Sequence, residues 1–95
     1  MVDLKVGQLV VSRAGRDAGT EFLVVKILDG GAVLVADGRR RCIANPKRKN
    51  VKHLWVTGRV APEIARMVAS GEPITDADLR SCLQGLKESV QEEVG

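Results

Sequence analysis

The chain has 95 residues with 15 Lys or Arg, 12 Asp or Glu and a formal net charge of +3. This length suits one compact domain, and we find neither the roughly 18 apolar residues of a membrane helix nor the pattern of a secretion signal. Cys42 and Cys82 lack metal-ligand spacing, so we expect reduced thiols, a cytoplasmic location, no metal site and no cofactor. His53 is the only histidine and has no neighbouring nucleophile pattern, so we expect no enzymatic activity.

Positive charge is concentrated in the first part of the chain. Residues 1–57 hold 11 Lys or Arg against 5 Asp or Glu, whereas residues 58–95 hold 4 against 7. A polyanion would be attracted to the first part and not to the second. We therefore expect a basic binding module followed by an acidic segment with another role.

The basic part reads as short β-strands separated by turns. Asp29-Gly30-Gly31 and Asp37-Gly38 are hairpin signals, because glycine accepts the positive φ that tight turns require. Short strands at this spacing favour a small barrel or sandwich. The pattern also predicts a loop over Ala44–Asn50 and places a polar edge strand fourth. The five predicted strands are Leu9–Ser12, Phe22–Leu28, Ala32–Ala36, Arg39–Ile43 and Lys52–Val56.

Two helices are predicted in the acidic part. Pro62 suits the first position of a helix over Pro62–Ser70. Thr75 and Asp78 resemble a capping box that opens a second helix, from Asp76 to about Glu93. An apolar stripe along this second helix favours packing within the molecule over binding a partner. Its members are Leu79, Leu83, Leu86 and Val90.

The segment Gly7–Ile27 is the most informative part of the chain. It contains a β run, a loop holding Gly15 and Gly19, and a second β run. Because glycine has no side chain, the backbone of such a loop can approach a bulky ligand closely. Arg13 and Arg16 belong to the same loop and are candidate phosphate partners.

This segment resembles the KOW motif of ribosomal proteins and transcription elongation factors. Phe22 stands where many KOW sequences have a further glycine, which is similar to the ribosomal protein L-fourteen-e branch and its small bacterial relatives. The resemblance continues through residues 36–41, 46–54 and 75–83. It implies a mainly β fold with a five-stranded SH3-like barrel over residues 1–57, a C-terminal helical appendage over 58–95, and RNA binding in a ribosomal context. The matching motif residues are Gly7, Val10, Gly15, Gly19 and Val24.

Two further basic clusters, Arg39–Arg41 and Lys47–Lys49 with Lys52, flank one short predicted strand. Each Lys or Arg that reaches a phosphate releases counterions and steepens the salt dependence of binding. We therefore predict contact with the phosphate backbone of RNA, with rRNA and ribosomal proteins as partners and no small-molecule substrate. The predicted RNA-binding residues are Arg13, Gly15, Arg16, Gly19, Arg39, Arg40, Arg41, Lys47, Arg48, Lys49, Lys52 and His53.

The mode of recognition leaves alternatives open. Phe22 and Trp55 are the only aromatic residues, which favours recognition of backbone and shape over base stacking. Trp55 itself fits a core position as well as a stacking surface. The alternative function is a protein-interaction module that docks on a polymerase or a ribosomal protein. Duplex DNA binding is weakly supported, because no recognition helix carries the basic residues.

Overall fold

The computed structural model describes residues 4–94, with side chains described as far as Lys87. The five strands form one antiparallel sheet in the order β4-β3-β2-β1-β5, and a 3₁₀ helix, Val51–His53, connects β4 to β5. The fold is therefore mainly β with two C-terminal helices, as the sequence predicted. The elements are β1 (Gln8–Ser12), β2 (Glu21–Ile27), β3 (Ala32–Ala36), β4 (Lys47–Asn50), β5 (Leu54–Val60), α1 (Pro62–Ser70) and α2 (Asp76–Val94).

The fourth strand was predicted in the wrong place. Arg39–Ile43 forms no strand, and the edge strand is Lys47–Asn50, which the sequence assigned to a loop. The cause lies in Asp37, whose Oδ1 accepts hydrogen bonds from the backbone N–H groups of Arg39 and Arg41, both at 2.9 Å. This turn takes up N–H groups that a strand ladder would need. The last strand, predicted over Lys52–Val56, is β5 and runs from Leu54 to Val60, because Lys52 and His53 belong to the 3₁₀ helix.

Both faces of β2 are buried, which explains its nearly continuous apolar sequence. Side chains alternate between the two faces of a strand, so Phe22 and Val24 face one side while Leu23 and Val25 face the other. The first pair packs in a cluster with Val10, Val33, Val35 and Leu54. The second pair packs with residues that include Leu9 of β1, Ile64 of α1, and Leu79 and Leu83 of α2. The helices thus share a core with the sheet.

The helices begin where local capping chemistry predicted. The capping box is formed: Thr75 N–H donates to Asp78 Oδ2 at 3.0 Å, and Asp78 N–H donates to Thr75 Oγ1 at 3.1 Å. The first helix ends at Gly71, whose φ of 75° lies in the left-handed region. Val90, the last member of the predicted stripe, lies outside the described side chains. No helix in the described range, 4–94, is long and apolar enough to cross a membrane.

The start of α2 is hydrogen-bonded to the loop that follows β3. Asp76 Oδ1 accepts a hydrogen bond from Ile43 N–H at 2.7 Å, and Arg80 Nη1 donates to the Gly38 carbonyl at 2.7 Å. A Cβ added at Gly38 would collide with the carbonyl oxygen of Asp76, so this contact requires glycine. The helix therefore fixes the position of the arginines in that loop.

Candidate nucleic-acid interface

The loop between β1 and β2, residues Arg13–Thr20, is called the glycine loop below. Gly15 and Gly19 adopt φ values of 84° and 87°, in the left-handed region that favours glycine. A Cβ added at Gly19 would meet no other atom within 4 Å, so the backbone there is open to a large ligand. At Gly15 the same position lies 3.6 Å from Asp17 Oδ1, so this glycine lies beside the Asp17 carboxylate.

Asp17 is the centre of a charged network beneath the glycine loop. Its Oδ1 accepts hydrogen bonds from Ser12 Oγ at 2.9 Å and Lys49 Nζ at 3.0 Å, and its Oδ2 accepts one from Lys47 Nζ at 2.9 Å. Lys49 Nζ also donates to the Ala14 carbonyl at 3.0 Å. Burial by itself raises the pKa of Asp17, but the hydrogen bonds from Lys47, Lys49 and Ser12 outweigh it and hold that pKa well below its usual range. The two lysines of β4 therefore stabilise the glycine loop through their ion pairs with Asp17.

The predicted cluster Lys47-Arg48-Lys49 is divided by the strand that contains it. Lys47 and Lys49 face the glycine loop, with side chains 32% and 9% exposed. Because neighbouring residues in a strand point to opposite faces, Arg48 lies on the other side of β4, where it is paired with Leu34 of β3 and is exposed. The three residues were predicted to act as one cluster because the sequence pattern predicted a loop there, in which side chains do not alternate between two faces.

The loop Asp37–Pro46, called the arginine loop below, meets the end of the glycine loop. Arg39 and Arg40 are exposed, Arg41 is half-buried, and Arg40 Nη1 donates to Thr20 Oγ1 at 3.5 Å. The two loops and α2 line a polar cleft of about 340 Å³. Its charged lining consists of four cations and two carboxylates: Arg39, Arg40, Arg80, Lys87, Glu21 and Asp37.

The 3₁₀ helix and the start of β5 lie at the other end of the glycine loop. Arg13 N–H donates to the His53 carbonyl at 2.8 Å, and the side chains of Lys52 and His53 are exposed. The guanidinium carbon of Arg13 lies 5.5 Å from the ring centroid of Trp55, which is 56% exposed. Trp55 is thus a surface residue, which settles the alternative between core and surface that its sequence left open.

All three basic segments therefore contact the glycine loop. The 3₁₀ helix meets its first residue, β4 meets its middle at Asp17, and the arginine loop meets its end at Thr20. Residues 20 to 40 positions away in sequence gather on this loop because the sheet places their strands around it. The exposed cations of this surface are Arg13, Arg16, Arg39, Arg40 and Lys52.

No family model matches the sequence. Among curated proteins, "Putative ribosome-binding protein YbzG" of Bacillus subtilis is 34% identical over 71 residues, which are 75% of this chain and 96% of YbzG. Large ribosomal subunit protein eL14 of Metallosphaera sedula is 31% identical over 94 residues, 99% of this chain and 93% of that protein. This chain belongs to the eL14 family. The eL14 of Staphylothermus marinus is 28% identical over 91 residues, 96% of this chain and 94% of that protein.

The eL14 family resemblance seen in the sequence is thus confirmed. The Metallosphaera alignment covers 99% of the chain, so it includes the two helices as well as the sheet. Sequence reasoning missed Arg80 and Lys87, which α2 brings to the cleft although they belong to the acidic part of the chain. Their isolated positions among acidic residues carry no signal of a basic surface. The RNA contacts of the predicted residues stay a prediction.

Proposed function

We propose that this protein is ribosome-associated and binds RNA through the glycine loop and the exposed cations around it. The observation that carries the proposal is the contact of three basic segments, separate along the chain, with that one loop. Membership of the eL14 family supports the ribosomal context, since relatives are named as large-subunit or ribosome-binding proteins. rRNA and ribosomal proteins are the partners that this implies, and the cytoplasm is the corresponding location.

The proposed interface gives different roles to different cations. Arg13, Arg16 and Lys52 are exposed beside the glycine loop and can reach phosphates, which arginine binds with two parallel hydrogen bonds. Lys47 and Lys49 support the loop through Asp17, and they would have to leave that carboxylate to contact RNA. The other proposed contacts are the exposed backbone at Gly15 and Gly19 and the side chains of Arg39, Arg40, Arg41 and His53.

Arg48 has a separate status in this interface. It lies on the face of β4 opposite Lys47 and Lys49. We therefore place Arg48 outside the central contact surface and use it as a comparison residue below.

We also propose that the sheet is an SH3-like KOW barrel and that the helices after β5 are its appendage. The end strands β4 and β5 would lie roughly 19 Å apart in a flat sheet with a strand spacing of about 4.8 Å. The 3₁₀ helix of three residues that joins them rises only about 2 Å per residue. The sheet must therefore bend until these edges approach each other at one corner, although the pairings described for residues 4–94 do not include a β4–β5 ladder.

A charge-removal experiment tests the RNA surface. The double variant Arg39→Gln with Arg40→Gln should bind an rRNA fragment less tightly, and the slope of log affinity against log salt should fall by about 1.5 because two phosphate contacts are lost. The control is Lys5→Gln with Lys26→Gln, which removes the same charge at the opposite ends of β1 and β2 from the glycine loop. An equal fall in slope for both variants would contradict a localised interface.

Sedimentation tests the ribosomal context directly. The full chain, added to a cell lysate and centrifuged through a sucrose gradient, should travel with large ribosomal subunits at low salt. Raising the salt to about 0.5 M should release it, because phosphate contacts weaken steeply with salt. A chain that stays at the top of the gradient at low salt contradicts ribosome association.

One form of the alternative function, docking of the α2 stripe on a partner protein, is not favoured. Leu79 is fully buried and Leu83 is 7% exposed, both against the sheet and α1. Those side chains are already buried in the core of this chain. A partner would have to displace them from the core to bind them.

A further inference from the structure

Trp55 belongs to a row of side chains on the outer face of the sheet. The pairing of β1 places Val11 opposite Trp55 of β5 and also opposite Glu21 of β2. Paired residues in neighbouring strands point to the same face. Glu21, Val11 and Trp55 therefore form one row across β2, β1 and β5, and Arg13 covers the indole at the end of the row.

This row connects the exposed indole with the basic cleft. Glu21 lines the cleft together with Arg39 and Arg40. Two strand spacings, about 10 Å, separate Glu21 from Trp55. The cations of the cleft, the glycine loop and the aromatic ring therefore lie on one continuous surface.

The chemistry of this surface favours a nucleotide as its occupant. An indole that is 56% exposed offers a flat apolar face, and the guanidinium over it adds a cation–π contact. Arg13, Arg16 and Lys52 make the surroundings positive. An unpaired nucleotide combines the aromatic face and the negative phosphate that such a site requires.

We propose that Trp55, with Arg13 against its ring, is a stacking site for an unpaired nucleobase of RNA. The inference rests on the proposed function and adds to it a single-stranded element beside the phosphate contacts. It differs from the recognition mode that the low aromatic content favoured, in which backbone and shape alone are bound. One exposed ring next to a basic loop is sufficient for one base.

The intrinsic fluorescence of the protein gives a direct readout. Trp55 is the only tryptophan and the chain has no tyrosine, so emission excited at the tryptophan band reports on this one site. Titration of the full chain with single-stranded decauridylate should quench the emission along the binding curve. A blunt RNA duplex should bind with little quenching, because its bases are stacked and paired.

Substitution at the site should separate base stacking from phosphate contact. Trp55→Leu should weaken binding of labelled decauridylate roughly 5- to 150-fold, the usual effect of losing one stacked base. Its salt slope and its affinity for the duplex should remain unchanged, and Trp55→Phe should restore most of the lost affinity. The control is Ile27→Ala, which truncates another exposed apolar side chain, 47% exposed, at the far end of β2.

The outcomes distinguish this inference from the proposed function. Salt-dependent RNA binding without quenching, with Trp55→Leu equal to the unchanged chain, overturns the stacking site and leaves the phosphate surface intact. Absence of RNA binding at low salt overturns both. An emission change caused by RNA-free ribosomal proteins, and not by decauridylate, overturns the stacking site in favour of a protein contact.

Discussion

Lys49 Nζ lies 3.0 Å from Asp17 Oδ1 although 32 residues separate the two in sequence. The lysine side chain is 9% exposed and the aspartate side chain 12% exposed, so the pair is shielded from water. Such a pair loses solvation on burial, and hydrogen bonds must compensate for that loss. Here Ser12, Ala14 and Lys47 supply them. The pair fixes the shape of the glycine loop.

We expect Asp17→Asn to destabilise the fold by about 2–3 kcal/mol, because it leaves the buried ammonium of Lys49 without its counter-charge. Chemical denaturation measures the change in the free energy of unfolding. The control is Asp29→Asn, an exposed acid in the turn before β3, which should change stability by about 0.5 kcal/mol or less. Equal stability of the two variants would show that the Asp17 network does not hold the loop.

The same carboxylate predicts a dependence of stability on pH. The pKa of Asp17 is lowered in the folded chain from its ordinary value of 3.8. Between the folded and the unfolded pKa, the unfolded chain therefore binds more protons than the folded one. Stability from this group is therefore complete above about pH 5 and is lost as the pH falls below the ordinary value. Denaturation between pH 2.5 and 7 should show a larger acid loss for the unchanged chain than for Asp17→Asn. Parallel curves would contradict the lowered pKa.

Gly38 should be sensitive to a single added methyl group. Gly38→Ala and Gly30→Ala both place alanine at a φ near 76°, which costs roughly 1–2 kcal/mol in either variant. At Gly38 the new Cβ would also collide with the backbone carbonyl of Asp76 at the start of α2. At Gly30 it would meet no atom within 4 Å. We expect a further loss of about 1–3 kcal/mol for Gly38→Ala, measured by chemical denaturation. Equal losses would mean that α2 does not pack closely on this turn.

Features decided by local chemistry could be predicted from the sequence. Pro62, Gly71 and the Thr75–Asp78 capping box define the helix ends within a few residues of chain, so the predicted starts of both helices agree with the structure. The Asp37-Gly38 turn was also predicted correctly. The loop that follows it was not, because the same turn signal fits both a hairpin and a loop closed by an aspartate side chain.

Features decided by distant contacts could not be predicted. The polar run Lys47–Asn50 has little strand character of its own and becomes a strand by pairing with β3. Lys49 looks like a surface lysine in sequence, and only the contact with Asp17 reveals its burial. The exposure of Trp55 likewise depends on which face of β5 the sheet turns outward. The basic surface was thus predictable as a charge pattern, but the role of each cation was not.

Arg16 and Arg48 compare an arginine on the glycine loop with one outside it in an RNA-binding measurement. Both are exposed arginines, and no ion pair to either occurs among the described side chains, residues 4–87. Arg16 lies on the glycine loop, whereas Arg48 lies on the opposite face of β4 from Lys47 and Lys49. Both variants to Gln should keep the stability of the unchanged chain within about 0.5 kcal/mol.

Their affinities for an rRNA fragment should differ. Arg16→Gln should lower the slope of log affinity against log salt by about 0.7–0.9, the loss of one phosphate contact. Arg48→Gln should leave that slope unchanged, because Arg48 projects from β4 away from the glycine loop and lies outside the proposed contacts. Filter binding at salt concentrations between about 50 and 200 mM resolves the difference. A lower slope for Arg48→Gln, with none for Arg16→Gln, would move the interface away from the glycine loop to the exposed side of β4.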